Sequence, residues 1–233
     1  LWQMGLSFSS IFLVAGALAL LALLPFVKVK ESYSASKCDY SWRLSQFPPE
    51  LCRFLAIACL FALGNFSYMF FILRAQGILS GSQAAASAIL LYALFNLTYA
   101  LLALPAGIWS DRIGRKRILA LGYGLFALTA LGFATVSSQA GLVMLFALYG
   151  LVYALVDGSE RAFVSDLSPP GLRGSALGLY SGALGLAAIA SSLLAGAIWE
   201  LWGQQATFVF GAGAAGMAAV GLMVWRERSG IQT

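Results

Sequence analysis

Long apolar runs alternate with short polar stretches along the whole of this 233-residue chain. Residues 89–108 and 118–136, for example, contain no charged side chain. Each run is about the 20 residues that a helix needs to cross the roughly 30 Å hydrocarbon core of a bilayer. All such runs should be α-helices, because lipid cannot hydrogen-bond an exposed backbone. The pattern predicts seven transmembrane spans, at residues 6–27, 54–73, 84–108, 118–136, 141–156, 175–199 and 207–225.

The composition agrees with an all-α, polytopic membrane protein, since 61% of the residues are hydrophobic and only 10% are charged. A polar stretch at residues 28–53, rich in Ser and ending near two prolines, is predicted to be a cytoplasmic linker. It separates one helix, within residues 1–27, from six helices, within residues 54–228, and residues 229–233 form a short tail. The fifth span should continue through Asp157 and Glu160 toward the lipid headgroups.

The cations are distributed unevenly among the loops. Apart from Arg74, each of the 14 Lys and Arg residues lies after the first, third, fifth or seventh span. Cytoplasmic loops carry an excess of Lys and Arg, so we expect the chain's N-terminus outside and its C-terminus in the cytoplasm, in a plasma or inner membrane. The formal net charge of +5 is explained by these loops, and no nucleic-acid partner is predicted.

The residue types also limit the chemistry that the chain can carry. It has no histidine, and its three cysteines, Cys38, Cys52 and Cys59, lack the spacing of metal ligands. Histidine-based catalysis and haem or zinc ligation are therefore excluded, and we predict neither a metal nor another cofactor. The cysteines are expected to be unpaired thiols or packing residues.

A charged loop, residues 107–117, lies between the third and fourth spans. Gly107 would permit a close helix approach, and Gly114 would support a tight turn. Asp111 would pair with a nearby arginine or accept hydrogen bonds from a helix N-terminus. Arg115 and its basic neighbours would face anionic lipid headgroups, each cation contributing about 1 kcal/mol near such a surface.

A second polar connection, residues 166–174, contains two prolines and a glycine that would break the helix. Asp166 and Arg173 would join Asp111 and Arg115 in one cytoplasmic ion network. Such a network is a candidate for a bistable gate, formed in one state and broken in the other. An ordinary positive loop and an ordinary helix connection remain the alternatives for these two segments.

The pattern Gly-x-x-x-Asp-Arg-x-Gly-Arg-Lys at residues 107–116 closely resembles the signature loop of the major facilitator superfamily of secondary transporters. Residues 166–174 resemble the superfamily's acidic-x-x-Pro-x-x-x-Arg-Gly loop after the tenth helix. The resemblance implies a C-terminal six-helix half preceded by the sixth helix, with an N-terminal half missing from the chain as its partner. It also implies a gating role for Gly107, Asp111, Arg112, Gly114, Arg115, Asp166 and Arg173.

Polar and aromatic residues recur on single helical faces inside the spans. Tyr149, Tyr153, Asp157 and Glu160 follow a helical period, and polar groups at such depth must face protein or water. The resemblance implies that these spans line a substrate cavity, although packed helix seams would show the same pattern. The candidate cavity residues are Asn65, Tyr68, Tyr92, Asn96, Tyr99, Tyr149, Tyr153 and Asp157.

The predicted function is secondary active transport of a small solute by alternating access, with drug or metabolite efflux as the expected direction, and not enzymatic catalysis. No acid or base is predicted at mid-membrane, so the cavity should suit a neutral, amphipathic or aromatic solute. A seven-helix receptor or sensor is the main alternative. It is disfavoured because the last span lacks a lysine for a retinal Schiff base. A membrane-embedded enzyme would need a nucleophile or acid pair that the spans lack.

Overall fold

The computed structural model describes residues 46–79 and 84–225, together with Leu13, Gly16, Ala17 and Leu20. The chain divides into two units, Leu1–Tyr40 and Ser41–Thr233, and almost all of the first unit lies outside the described residues. Almost all of the predicted first span, most of the predicted linker and the predicted C-terminal tail therefore lie outside them too. The second unit holds both signature segments and every candidate cavity residue.

The described part of this unit is helical throughout and contains no strand, which confirms the predicted all-α fold. A single 3₁₀ turn, Pro170–Leu172, precedes the last helix. The helices are α1 (Pro49–Gly64), α2 (Tyr68–Ile78), α3 (Ala84–Ile113), α4 (Arg115–Thr135), α5 (Gln139–Asp166) and α6 (Arg173–Val224).

Among the described residues, five helical segments are long and apolar enough to cross a membrane, and the last of them is broken into two parts. That segment, Pro170–Val224, has 55 residues and would be about 80 Å long if it were straight. It breaks at Gly203, whose φ of 86° and ψ of 175° are not helical. The Thr207 hydroxyl, beyond the break, donates to the Ala195 carbonyl at 3.4 Å, so the chain turns back on itself. We name the two parts α6a (173–202) and α6b (204–224); six predicted spans thus lie among the described residues.

Three helix boundaries differ from the sequence prediction, each for a local reason. Pro49 occupies the first turn of α1 with Glu50, inside the predicted linker, because proline fits the start of a helix and an acid suits its positive end. Helix α3 runs on to Ile113, so Asp111 and Arg112 lie in its last turn and not in a loop. Only Gly114, with φ 104°, separates α3 from α4.

The second predicted span is interrupted at residues 65–67, between α1 and α2. Ser67 caps the new helix by accepting a hydrogen bond from the Met69 amide at 3.4 Å. On the other side of the break, the Leu63 carbonyl accepts a hydrogen bond from the Ser191 hydroxyl at 2.8 Å. Side-chain hydroxyls thus satisfy backbone groups that the interruption frees, as the membrane interior requires.

Ion pairs and hydrogen bonds identify two opposite ends of the bundle. At one end Arg115 pairs with Asp166, and Lys116 donates to the Trp225 carbonyl and lies over its ring. At the other end, Arg74 donates to the carbonyls of Phe133 and Val136, at 3.1 and 3.0 Å. Arg74 also donates to Gln204, just beyond the Gly203 break, at 3.1 Å. This arginine therefore holds together three helix ends and caps the C-terminus of α4.

The core between these ends is built from aromatic rings and closely packed glycines. Phe71 of α2 stacks on Tyr149 with ring centroids 4.4 Å apart and meets Phe133 edge to face at 4.9 Å. Where α1 crosses α6b, a Cβ atom on Gly64 would lie 2.6 Å from the Gly211 carbonyl oxygen. Glycine at both positions is thus what allows the two backbones to approach.

Candidate functional site

A cavity of about 390 Å³ opens between α1, α5 and α6a. Most of its wall is apolar, with Val152, Val156 and Leu184 among the lining residues. A few polar and aromatic groups converge on it, which is the usual composition of a small-molecule site. They are Phe61, Asn65, Tyr153, Asp157, Glu160, Arg161, Tyr180 and Ser181.

Three of the predicted cavity residues line this space, and two more form hydrogen bonds with those lining residues. Asn65 donates from Nδ2 to the Tyr153 hydroxyl at 3.3 Å, which joins the break between α1 and α2 to α5. The Tyr99 hydroxyl donates to Asp157 Oδ2 at 3.0 Å. The buried Tyr149 is 3.4 Å, oxygen to oxygen, from Tyr153. Residues from three spans therefore meet in one hydrogen-bonded wall.

The other three predicted residues lie away from the cavity. Tyr68 and Tyr92 stack on each other with centroids 4.8 Å apart. Phe95, which the sequence pattern did not single out, connects this pair to the wall, since its ring lies 5.6 Å from Tyr92 and 5.3 Å from Tyr153. Asn96 is exposed and donates to the carbonyl of Tyr92 at 2.8 Å, so its amide is satisfied by its own helix.

Glu160 is the most informative residue that was not among the predicted cavity residues. It is 4% exposed, and the Tyr123 hydroxyl donates to its Oε1 at 2.5 Å. The Tyr180 hydroxyl donates to its Oε2. The periodic stripe through Tyr149 and Tyr153 did reach Glu160, but the sequence prediction placed it toward the headgroups. The structure encloses its side chain between α4, α5 and α6a, so the cavity wall includes a buried carboxyl group that the list of predicted cavity residues lacked.

The two carboxylates at the cavity have different charge partners. Asp157 pairs with Arg161, one helical turn away, at 3.1 Å. Among the described residues, no cation forms an ion pair with Glu160. Hydrogen bonds to carboxylates are stronger than those between neutral groups, but hydroxyls do not cancel the charge. Within the described wall, Glu160 is therefore the buried carboxyl group without a cationic partner.

The signature residues gather around Arg115 at the end of the bundle. Its Nη2 lies 3.1 Å from Asp111 Oδ1, and its Nη1 lies 2.6 Å from Asp166 Oδ2. Nη1 also donates to the Ala162 carbonyl at 2.7 Å, which fastens the start of α4 to the last turns of α5. Three of the four residues predicted for the ion network are thus in contact.

The remaining signature residues differ in their surroundings. Arg112 and Arg173 are exposed and take part in none of the ion pairs found within residues 46–79 and 84–225. Gly114 makes the predicted tight turn. Gly107 was expected to permit a close helix approach, but a Cβ added there would have no described atom within 4 Å. Gly107 lies on an exposed face of α3 in the described unit, so its close helix approach stays a prediction.

Comparison with known proteins agrees with this architecture. The model of the Major Facilitator Superfamily matches residues 54–232. The chain is 44% identical over 210 residues to an uncharacterized MFS-type transporter of Methanocaldococcus jannaschii, covering 88% of this chain and 52% of the relative. It is 29% identical over 114 residues to the tetracenomycin C resistance and export protein of Streptomyces glaucescens, covering 49% of this chain and 21% of that protein.

A shorter similarity extends to eukaryotes: an MFS antiporter of Candida albicans is 31% identical over 99 residues, covering 42% of this chain and 14% of that protein. The chain spans about half the length of the archaeal relative and smaller shares of the other two. The match to the family model spans the six helical crossings and both signature segments. A family of transporters, and not of receptors or enzymes, accounts for the sequence, and the chain belongs to the major facilitator superfamily.

Proposed function

We propose that this chain forms a helical half of a secondary transporter that exports a small amphipathic or aromatic solute by alternating access. The observation that carries the proposal is the polar and aromatic cavity between α1, α5 and α6a in an otherwise apolar bundle. A transporter of this kind performs no covalent chemistry. It moves its solute through differences in conformational free energy that are coupled to a gradient.

Two features support the choice of solute and direction. Asn65 and Tyr153 offer hydrogen-bonding groups beside apolar and aromatic walls, which suits a molecule with both characters. One similar protein is named for the export of tetracenomycin C. We extend only the direction, export, from that relative to this chain.

The partners in this proposal are a second helical half and the lipid surface. The six crossings would rock against the second half around a site near the bilayer midplane. At the Arg115 end, a cavity of about 660 Å³ is lined by Arg115, Lys116 and Arg117, where anionic headgroups would gather. The gating role of Asp111, Asp166 and Arg115 also belongs to this proposal.

The function is tested by flux in proteoliposomes that contain the intact transporter. We expect a proton or sodium gradient to drive movement of an amphipathic aromatic dye faster than in protein-free liposomes. Tyr153→Phe removes the hydroxyl that contacts Asn65 and Tyr149, and a hydrogen bond contributes about 0.5–1.5 kcal/mol. KM should therefore rise by about two- to tenfold in this variant. Equal, gradient-independent dye movement with and without the protein would refute the proposal.

The membrane orientation is tested with single cysteines. In a background with Cys38, Cys52 and Cys59 replaced by serine, Arg117→Cys should react with a membrane-impermeant maleimide only after the cells are permeabilised. Ser137→Cys, in the connection between α4 and α5, should react in intact cells. Both positions are exposed, so access to the reagent depends on the side of the membrane. The reverse labelling pattern would invert the proposed topology.

A further inference from the structure

We propose that Glu160 binds the positive charge of a monovalent, amphipathic organic cation, whose apolar body occupies the cavity between α1, α5 and α6a. This inference rests on the proposed transport function and narrows its substrate class. It replaces the neutral solute that the sequence suggested.

The carboxylate of Glu160 is held in place but is still able to accept a ligand. Tyr123 and Tyr180 each donate to one of its oxygens, from two different helices. A carboxylate offers about four lone-pair positions, so two remain after these bonds form. Glu160 is also one of the residues that line the cavity. Its position is therefore fixed by α4 and α6a while its charge faces the space that a solute would enter.

When Glu160 is ionised, the charges around it leave one negative charge to be balanced. On its own helix it interacts with Asp157 and Arg161, which also line the cavity and are paired with each other. The groups that face it from other helices are Tyr123, Tyr180 and Cys59, and none of them is a cation. Burying a charge without a counter-charge is unfavourable, and in a membrane span such a group is expected to be functional. A bound cation would offset that cost.

The rest of the wall favours an organic cation over a metal ion. Phe61, Tyr153 and Tyr180 supply aromatic rings, and the faces of such rings attract cations. Val152 and Leu184 add apolar surface that would cover a hydrocarbon body. A hard metal ion instead requires about six oxygen ligands, which this mainly apolar wall does not offer.

The proposal is tested by binding of tetraphenylphosphonium to the detergent-purified intact transporter, measured by equilibrium dialysis without any gradient. Glu160→Gln keeps the shape of the side chain and removes its charge, so affinity should fall at least tenfold. Glu200→Gln, an exposed acid in α6a, is the matched control and should bind like the wild type. The neutral triphenylphosphine oxide should bind equally to the wild type and to Glu160→Gln.

A second variant keeps the test decisive if Glu160→Gln does not fold. Tyr180→Phe removes one donor and leaves the carboxylate less satisfied, so tetraphenylphosphonium should bind as tightly as, or more tightly than, in the wild type. Weaker binding in Tyr180→Phe would overturn the proposal. Unchanged tetraphenylphosphonium affinity in a folded Glu160→Gln variant would also overturn it. If that variant lost proton-driven flux but kept its affinity, the carboxylate would be a proton site and not a cation site.

Failure of this inference can be separated from failure of the transport function. If the wild type bound no tetraphenylphosphonium but moved a neutral dye along a gradient, the cation site would be refuted while transport would stand. If the wild type moved no solute but bound tetraphenylphosphonium in a Glu160-dependent way, the site would stand and the transport proposal would fall.

Discussion

Replacing Arg115 with glutamine should lower the transport rate of the intact transporter by about ten- to a hundredfold while leaving its helices folded and inserted. Arg115 is the one side chain in the described unit that contacts both Asp111 and Asp166. It also donates to the Ala162 carbonyl, so its loss would free the start of α4 from the end of α5. Initial rates in proteoliposomes, normalised to the amount of inserted protein, would measure the effect.

The size of the expected effect follows from where these ion pairs lie. The side chains of Asp111 and Asp166 are 67% and 53% exposed, and an exposed ion pair adds about 0–1 kcal/mol to the stability of a fold. The fold should therefore tolerate the change. A contact that forms in only one access state changes the equilibrium between the two states. A coupling free energy of about 1–3 kcal/mol shifts that equilibrium by about 5–150-fold.

Arg117→Gln is the matched control for Arg115→Gln. Arg117 is a neighbouring cation at the same membrane surface, and it is exposed and takes part in none of the described ion pairs. It should keep transport within about twofold of the wild type, because it removes only a headgroup interaction of about 1 kcal/mol. If the two variants lost transport equally, surface charge and not the Arg115 network would be the cause.

Asp111→Asn should have a smaller effect in the same direction, because Arg115 would keep its contacts with Asp166 and Ala162. Membrane insertion should be unchanged. Wild-type flux in this variant, combined with a large loss in Arg115→Gln, would show that gating depends only on the contacts of Arg115 with Asp166 and Ala162 of α5.

Hydrophobic runs were sufficient to predict the six crossings that lie among the described residues, because span length is set by bilayer thickness. The interruption at residues 65–67 was not predictable in the same way. It depends on Ser191, in a distant span, whose hydroxyl satisfies the Leu63 carbonyl. Hydropathy indicates which residues are apolar, but it does not indicate which backbone groups accept hydrogen bonds from side chains in other helices.

The candidate site, too, could be predicted from the sequence only in part. Helical periodicity correctly grouped Tyr153 with Asp157, because both project from one face of α5 into the cavity. It could not show that Glu160 is enclosed, since the enclosing tyrosines come from α4 and α6a. Nor could it tell that the amide of Asn96 bonds to its own helix. Periodicity identifies a face, and only packing decides whether that face meets a cavity, a neighbouring helix or lipid.

Replacing Gly211 with alanine should destabilise the bundle by about 1–3 kcal/mol, the usual cost of an extra methyl group in a packed core. Gly211 lies where α6b crosses α1, and an added Cβ would be 2.7 Å from the Gly64 carbonyl oxygen. It would also lie 2.8 Å from the ring of the buried Phe66. The nearest contact is backbone, which cannot rotate away, so the helices themselves would have to separate.

Gly213→Ala provides the matched control, two residues further along the same helix. A Cβ at Gly213 would have no described atom within 4 Å, and the position is exposed. Alanine there should be neutral or should stabilise the helix, by up to about 1 kcal/mol. Thermal unfolding of the intact transporter in detergent should place Gly211→Ala about 3–10 °C below the wild type and Gly213→Ala at or above it. Equal shifts would mean that helix propensity, and not the crossing, decides stability.

The Gly211 crossing also bears on transport, because it lies beside the break that carries Asn65 into the cavity wall. Separating α1 from α6b would move Gly64 and, with it, the neighbouring Asn65 away from Tyr153. We therefore expect Gly211→Ala to raise KM at temperatures where the protein is still folded, as Tyr153→Phe does. A variant with a lowered unfolding temperature but wild-type KM would show instead that the crossing supports the bundle without positioning the cavity wall.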